Sequence, residues 1–393
     1  MDKKPEKLVP EVRFKGFTDD WEQRKLGEIS TSFSGGTPSV KNKSYYGGKI
    51  PFIRSAEIHK DKTELFITEN GLKNSSAKLI KKGTLLYALY GATSGEVDVS
   101  NIDGAINQAI MAIFLQKDNV SFIKYYLEKN KYKIIAKYLQ GGQGNLSASI
   151  IKSVHINLPF TEEQLKISNL IKKVESLISL QQRKLEQLKQ LKKAMLQQLF
   201  VDKNNKQPNS RFKNFKGNWE QHRLEEVAQV TMGQSPSSKN YTDNPNDYVL
   251  VQGNADLKSN KISPRVWTKE ITKQVHKGEI IMTVRAPVGY LAMANMDAVI
   301  GRGVAAIDGN KYLYYLLQTK LMDRTWEKLS SGSTFESISS NDIKNLEIKV
   351  TETEEEKLIT KLMNTVTYFV TLQKNNLTQL TTLKKYLLQN LFI

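Results

Sequence analysis

Cysteine is absent from the 393 residues. That excludes disulfides, cysteine-ligated zinc and a thiol nucleophile, and it fits a reducing compartment. No apolar run approaches the roughly 18 residues a membrane-spanning helix needs. Met1–Pro10 is polar and charged, so no secretory signal is expected; a soluble, cytoplasmic protein without a membrane partner is. There are only four histidines (His59, His155, His222 and His276), none at metal-ligand spacing, and each reads as a surface or edge residue. Gly35-Gly36-Thr37-Pro38-Ser39 is not followed by Gly-Lys-Ser/Thr, so it is no phosphate loop. Asn244-Pro245-Asn246-Asp247 departs from the Asn/Asp-Pro-Pro-aromatic signature of adenine methyltransferases at its third position. Asp342 with Glu347-Ile348-Lys349 fits a metal-dependent nuclease pattern only weakly. Such triplets arise by chance in a chain this rich in Lys and Glu, and the matching stretch of the first half carries Asn157. No catalytic residue, no metal site and no bound cofactor are therefore expected.

What the chain has in excess is positive charge. Lys and Arg number 58 against 40 Asp and Glu, a net charge of +18, which points to a polyanionic partner, nucleic acid first. The chain is also duplicated. Arg13-Phe14-Lys15-Gly16-Phe17 leading into Trp21-Glu22-Gln23-Arg24-Lys25-Leu26 returns as Arg211-Phe212-Lys213-Asn214-Phe215 leading into Trp219-Glu220-Gln221-His222-Arg223-Leu224. Pro38 and Pro236 keep the offset, and Leu199-Phe200-Val201 returns as Leu391-Phe392-Ile393. A period this long is a repeated domain plus helix, not a solenoid.

Each copy reads as a mixed α+β domain. Short apolar runs bounded by Gly, Asn and Pro predict strands at Ile50–Arg54, Thr84–Tyr90 and Ala109–Leu115, then at Tyr248–Gln252, Glu279–Val284 and Val304–Ile307. Phe122–Leu139 and Tyr312–Leu329 have helical spacing. Thr161-Glu162-Glu163-Gln164 and Thr353-Glu354-Glu355-Glu356 look like capping boxes opening two longer helices. Apolar steps of three and four predict a seam through Ile167, Leu170, Val174, Leu177, Leu188, Leu191 and Met195, matched by Ile359, Leu362, Val366, Phe369, Leu380, Leu383 and Leu387. Gln181 and Lys184 fill two seam positions of the first helix. Helices of matching register most simply bury these seams on each other. The expectation is an antiparallel two-helix coiled coil, a rod of about 57 Å at 1.5 Å per residue, with one domain at each end. The polar segment 202–210 would let the chain return. Expected boundaries are 1–158 and 202–350 for the domains, and 159–201 and 351–393 for the helices. Ile171, Ile178, Leu185, Leu199, Met363 and Val370 lie outside that seam and suggest docking of helices from other subunits.

A duplicated reader keeps its frame and varies its tips. Gly91-Ala92-Thr93-Ser94-Gly95 becomes Arg285-Ala286-Pro287-Val288-Gly289, Asn107-Gln108 becomes Gly301-Arg302, and Arg54-Ser55 becomes Gln252-Gly253, with Asn254 next in line. Arg reads guanine edges and Asn or Gln reads adenine, so a change of recognised bases would produce this pattern; ordinary drift of surface loops would as well. Lys41, Lys43, Lys239, Lys258 and Lys261 read as phosphate contacts. The small residues around Gln143, Asn145, Ser333 and Thr334 would admit close backbone approach to phosphate, and loop flexibility explains them equally.

The sequence Trp21-Glu22-Gln23-Arg24-Lys25-Leu26-Gly27-Glu28 and its repeat at Trp219, with the helices Thr161–Phe200 and Thr353–Phe392, resembles the specificity subunit, HsdS, of type I restriction-modification systems. The resemblance spans essentially the whole chain. It implies two target-recognition domains, each reading half of a split, asymmetric site in double-stranded DNA. It implies two modification subunits that bind S-adenosylmethionine and methylate adenine N6, and two restriction subunits that use ATP and Mg²⁺, with no chemistry in this chain. A stand-alone nuclease or methyltransferase, and a coiled-coil scaffold that binds only proteins, are the alternatives to be tested.

Overall fold

The computed structural model describes residues 9–139, 145–202, 205–330 and 337–393. These form two compact units, one built from the chain up to Gln182 together with Asn376–Ile393, the other from Arg183–Asn375.

In the first unit one four-stranded antiparallel sheet has the order Ser30–Ser34, Ile110–Leu115, Leu85–Ala88, Val97–Val99. The run Leu85-Leu86-Tyr87-Ala88 is wholly apolar because this sheet is covered on both faces. Leu85 and Tyr87 join a core with Trp21 and Phe122, while Leu86 and Ala88 join another with Ile53, Ile80 and Ile106. A second sheet, in the order Phe66–Ile67, Tyr46–Ile53, Gly104–Ile106, Lys78–Ile80, contains a parallel pair, Phe52 and Ile53 beside Ala105 and Ile106. Glu22–Lys25 pairs antiparallel with His155–Leu158 and closes the domain immediately before the long helix begins.

The second unit repeats the order: Gln229–Met232, Val304–Asp308, Ile280–Thr283, Leu291–Met293 in one sheet, and Glu220–Arg223 against Glu347–Val350 as the closing pair. Its other sheet again has a parallel pair, Leu250 and Val251 beside Val299 and Ile300. The expected strands thus all form, most of them a residue or two shorter at an end. The expected helix Phe122–Leu139 starts earlier, at Val120. The helix expected over Tyr312–Leu329 is broken into Lys311–Met322 and Thr325–Leu329. Arg324 takes a left-handed conformation (φ 59°), and the Asp323 carboxylate accepts from the Thr325 N–H at 3.0 Å, starting a new helix.

The long helices run Thr161–Leu199 and Thr353–Asn390. Thr161 and Thr353 are helical residues rather than caps. Glu163 is turned inward and takes both ends of the Arg13 guanidinium at 2.8 Å, and Glu355 takes Arg211 at the same distance. The Gln164 side chain accepts the Asn119 N–H and donates to the Pro159 carbonyl.

Both units combine opposite ends of the two helices, as an antiparallel pair requires. In the first unit Ile167, Ile171 and Val174 share a core with Leu387, Leu391 and Phe392. In the second, Leu196, Leu199 and Phe200 share a core with Ile359 and Met363. Phe392 packs 5.0 Å from Phe122, and Phe200 packs 5.5 Å from Tyr312 and 6.3 Å from Trp219. Each helix therefore ends on the domain of the other copy.

The seam runs one residue away from the expected positions over much of its length. Ile167, Val174, Ile359, Val366 and Leu387 are buried, and Leu170, Leu188, Met195, Leu362 and Leu380 are half-buried. Leu177, Leu191, Phe369 and Leu383 are 42–48% exposed. The covered stripe is Ile167, Ile171, Val174, Ile178, Gln181, Leu185, Leu188, Lys192, Met195 and Leu199. Its counterpart in the second helix, 192 residues on, is Ile359, Met363, Val366, Val370, Gln373, Leu377, Leu380, Lys384, Leu387 and Leu391. Ile171, Ile178, Leu185, Leu199, Met363 and Val370 belong to this stripe and are not available to other subunits. The outward apolar residues are instead Leu177, Leu180, Leu191, Tyr368, Phe369, Leu372, Leu383 and Tyr386.

Two lysines lie in the stripe at equivalent positions. Lys384 bridges Glu128 at 2.7 Å and Glu175 at 2.8 Å, and Tyr125 donates to Glu175 at 2.6 Å. Burial pulls the Lys384 ammonium down, but the two carboxylates outweigh it and raise it. In the second unit the position of Glu175 is held by Thr367, which hydrogen-bonds Tyr315. Lys192 there meets the Tyr315 ring at 5.6 Å and has no carboxylate among the described residues, so burial lowers its pKa.

Candidate nucleic-acid interface

Four strand ends converge at one place in each unit, and identical backbone bonds hold them. In the first unit Asn107 N donates to Ile53 O, Gly36 N to Ile106 O, and Leu89 N to Ala109 O. In the second, Gly301 N donates to Val251 O, Gln234 N to Ile300 O, and Val284 N to Gly303 O. A Cβ at Gly35 would collide with the Ile106 carbonyl, and one at Gly233 with the Gly301 carbonyl, so both positions need glycine for the approach. The frame is common to both copies; the side chains it presents are not.

In the second unit the strand ends enclose a cleft of about 350 Å³ lined by Ser235, Gln252, Asn254, Arg285, Arg302 and the neighbouring backbone. The four residues singled out from the sequence thus meet in one place. Arg285, Arg302 and Asn254 are exposed and Gln252 is half-buried. None of the four side chains makes a hydrogen bond or ion pair with another described residue, and no carboxylate among the described residues lines the cleft. Reading the sequence alone passes over Ser235, whose hydroxyl accepts the Arg302 N–H at 3.1 Å and fixes that turn. The signal for it is its place one residue before Pro236, equivalent to Thr37 before Pro38.

The first unit differs. Arg54, expected to read a base, is held by carboxylates: Nε and Nη2 each lie 3.1 Å from Glu57, and Nη2 lies 3.1 Å from Glu64. Burial alone would raise the Glu57 carboxyl. Arg54, the Glu64 and Arg54 N–H groups and the Thr63 hydroxyl together hold it at about 2. The Arg54 fork is therefore engaged by carboxylates. Thr37 donates to the Gln108 side chain. The Asn107 side chain accepts the Ala109 N–H at 3.2 Å, and the Ser94 hydroxyl donates to Leu89 O at 3.1 Å beside half-buried Thr93. Apart from the Arg54 cluster, the polar side chains described at this tip are amides and hydroxyls.

Lys41, Lys43, Lys239, Lys258 and Lys261 are exposed, Lys41 on a loop, Lys43 and Lys239 in short 3-10 turns and Lys258 and Lys261 at strand ends, and Asn145 is exposed. Gln143, Ser333 and Thr334 lie outside the described residues. The weak nuclease triplet is otherwise engaged. Asp342 caps its own short helix through Ser339, and Lys349 Nζ donates to the Asp202 and Asn205 carbonyls. Among the described residues no group of three His, Asp or Glu could hold a metal ion, and no helix is long and apolar enough to cross a membrane.

Two copies of one frame with different polar tips, tied to helices they share, define a duplicated recognition protein. The chain belongs to the type I restriction-modification DNA specificity domain family, whose model matches residues 18–190 and 216–382. It is similar to the MjaX type I restriction enzyme specificity subunit of Methanocaldococcus jannaschii, 28% identical over 93% of this chain and 91% of that one. Two solved structures share its fold. The type I S subunit from M. genitalium is 16% identical with a TM-score of 0.67 and covers 98% of this chain and 99% of that one. A chain from the type I R-M system, solved to explain complex assembly and conformational transition, is 23% identical with a TM-score of 0.62 and covers 99% of both. The role of this chain is DNA sequence specificity within such a system.

Proposed function

We propose that the chain reads a bipartite, asymmetric site in double-stranded DNA, one half per copy, and directs adenine-N6 methylation and restriction that partner subunits perform in the cytoplasm. The observation that carries this is the pair of identical strand-end frames bearing unlike side chains: the same scaffold aimed at two different sequences. Bases are read at the tips, and Lys41, Lys43 and Lys239 neutralise phosphates. Two modification subunits binding S-adenosylmethionine, and two restriction subunits using ATP and Mg²⁺, supply the chemistry. The modification subunits dock on the outward apolar residues of the helices, Leu177, Leu180 and Leu191 and their equivalents Phe369, Leu372 and Leu383, which helix pairing leaves exposed.

The test is a domain exchange. Replacing residues 1–155 with those of another family member should change one half of the methylated motif, read by single-molecule sequencing of the host genome, and leave the other half intact. A change in both halves would sink the one-copy, one-half assignment. Methyl transfer or cleavage by the purified chain alone would favour an enzyme. DNA affinity that stays absent with partners present would favour a protein scaffold.

A further inference from the structure

The cleft of the second copy has a chemistry the first lacks. Its two guanidinium groups, Arg285 and Arg302, stand on separate strand ends, with no carboxylate partner among the described residues and the Gln252 and Asn254 amides beside them. A guanidinium presents a planar fork of N–H donors, which matches the O6 and N7 acceptors of guanine in the major groove. Arg54, the one arginine at the equivalent tip of the first copy, has its fork filled by Glu57 and Glu64. The Ser235 hydroxyl and the Gly301 N–H bond to Val251 fix the backbone under Arg302. Arg285 is anchored independently, by a bridge to Ser337 and at the end of the buried strand Ile280–Thr283. Fixed backbones with heads unpaired among the described residues suit base reading, where the direction of the donors matters. A phosphate contact needs only charge.

We infer that Arg285 and Arg302 read guanines, so that the half-site of the second copy contains G·C pairs recognised through this cleft, while the tip of the first copy reads its half with amides and hydroxyls. The inference rests on the DNA-reading role proposed above and adds which copy reads guanine and with which side chains.

The experiment is selection from a randomised duplex library by the specificity chain co-purified with its modification subunits, for the wild type and for Arg285→Ala, Arg302→Ala, Arg285→Lys and Arg302→Lys. The wild type should select a motif with fixed guanines in the half that depends on the second copy. Each alanine variant should make one of those positions degenerate, lower affinity for the best wild-type sequence by roughly 5- to 150-fold, and leave the other half unchanged. The lysine variants keep the charge but not the fork. They should melt as the wild type does and still lose the guanine preference. Variants that weaken all sequences equally while lowering the salt dependence would mark phosphate contacts and overturn the inference, as would a wild-type motif with no guanine in that half. A wild type that selects no motif at all would instead overturn the DNA-reading role itself.

Discussion

Truncating Ile171 and truncating Leu177 should have very different consequences, although both are large aliphatic residues of the same helix six positions apart. Ile171 is fully buried in the core that contains Trp21, Phe122 and Leu391. Leu177 is 45% exposed. Ile171→Ala removes methylenes from a packed site and leaves a cavity, at a cost of about 2–5 kcal/mol. For a unit of some 200 residues each kcal/mol lowers the melting temperature by about 2–4 °C, so the transition should fall by roughly 4–20 °C. Leu177→Ala should stay within about 0.5 kcal/mol, the range of surface substitutions. Scanning calorimetry of the purified chain measures both. The same order should hold in the second helix for Met363→Ala against Phe369→Ala, since Met363 is fully buried and Phe369 is 48% exposed. If Leu177→Ala were as damaging as Ile171→Ala, the seam would run through Leu177 and the stripe described above would be wrong. The exposed residues should matter for a different readout. Leu177→Asp with Leu180→Asp should leave melting unchanged and abolish co-purification of a modification subunit.

Three further predictions follow from paired features of the two units. Lys384→Met leaves Glu128 and Glu175 to share Lys124 as their one cation among the described residues and should cost about 1–3 kcal/mol, whereas Lys192→Met removes a buried cation with no carboxylate among those residues and should be neutral or stabilising in chemical denaturation. Arg211→Ala strands the buried Glu355 carboxylate and should cost about 3–5 kcal/mol, much of it recovered by adding Glu355→Gln, as a double-mutant cycle would show. Glu57 has a folded pKa of about 2 against an ordinary 4.5, a depressed carboxylate. Folding therefore favours its ionised form, and the stability it contributes is complete above pH 4.5 and lost as the pH falls toward 2. The melting difference between the wild type and Glu57→Gln should shrink across that window; a difference independent of pH would refute the Arg54–Glu57 account.

Much of this architecture is legible without coordinates because it is repeated. Trp21 and Trp219, or Phe200 and Phe392, stand in the same local context twice, and coincidence does not preserve such order over an offset near 195 residues. The strands were legible as apolar runs, and the pairing of strand ends explains why Gln252, Asn254, Arg285 and Arg302 converge although 50 residues separate the first from the last. The pairing of Arg54 with Glu57 was not legible. Glu57 lies three residues away, but nothing in the order of residues says whether a guanidinium turns back onto its own loop or outward. The break at Arg324 was equally hidden, because Tyr312–Leu329 keeps helical spacing through it.

The seam marks the boundary between what the sequence determined and what packing decided. A long amphipathic helix of fixed register, twice, follows from composition and from steps of three and four. Which of two adjacent stripes faces inward does not, because Leu170 and Ile171, and Leu177 and Ile178, are neighbours on the helix surface and either set satisfies the heptad. Hydrophobicity would place Leu191 and Leu383 inside and leave Lys192 and Lys384 out. The fold does the reverse: Glu128 and Glu175 receive Lys384, and the Tyr315 ring faces Lys192. Those partners come from elsewhere in the chain, and only tertiary contact brings them to the helix.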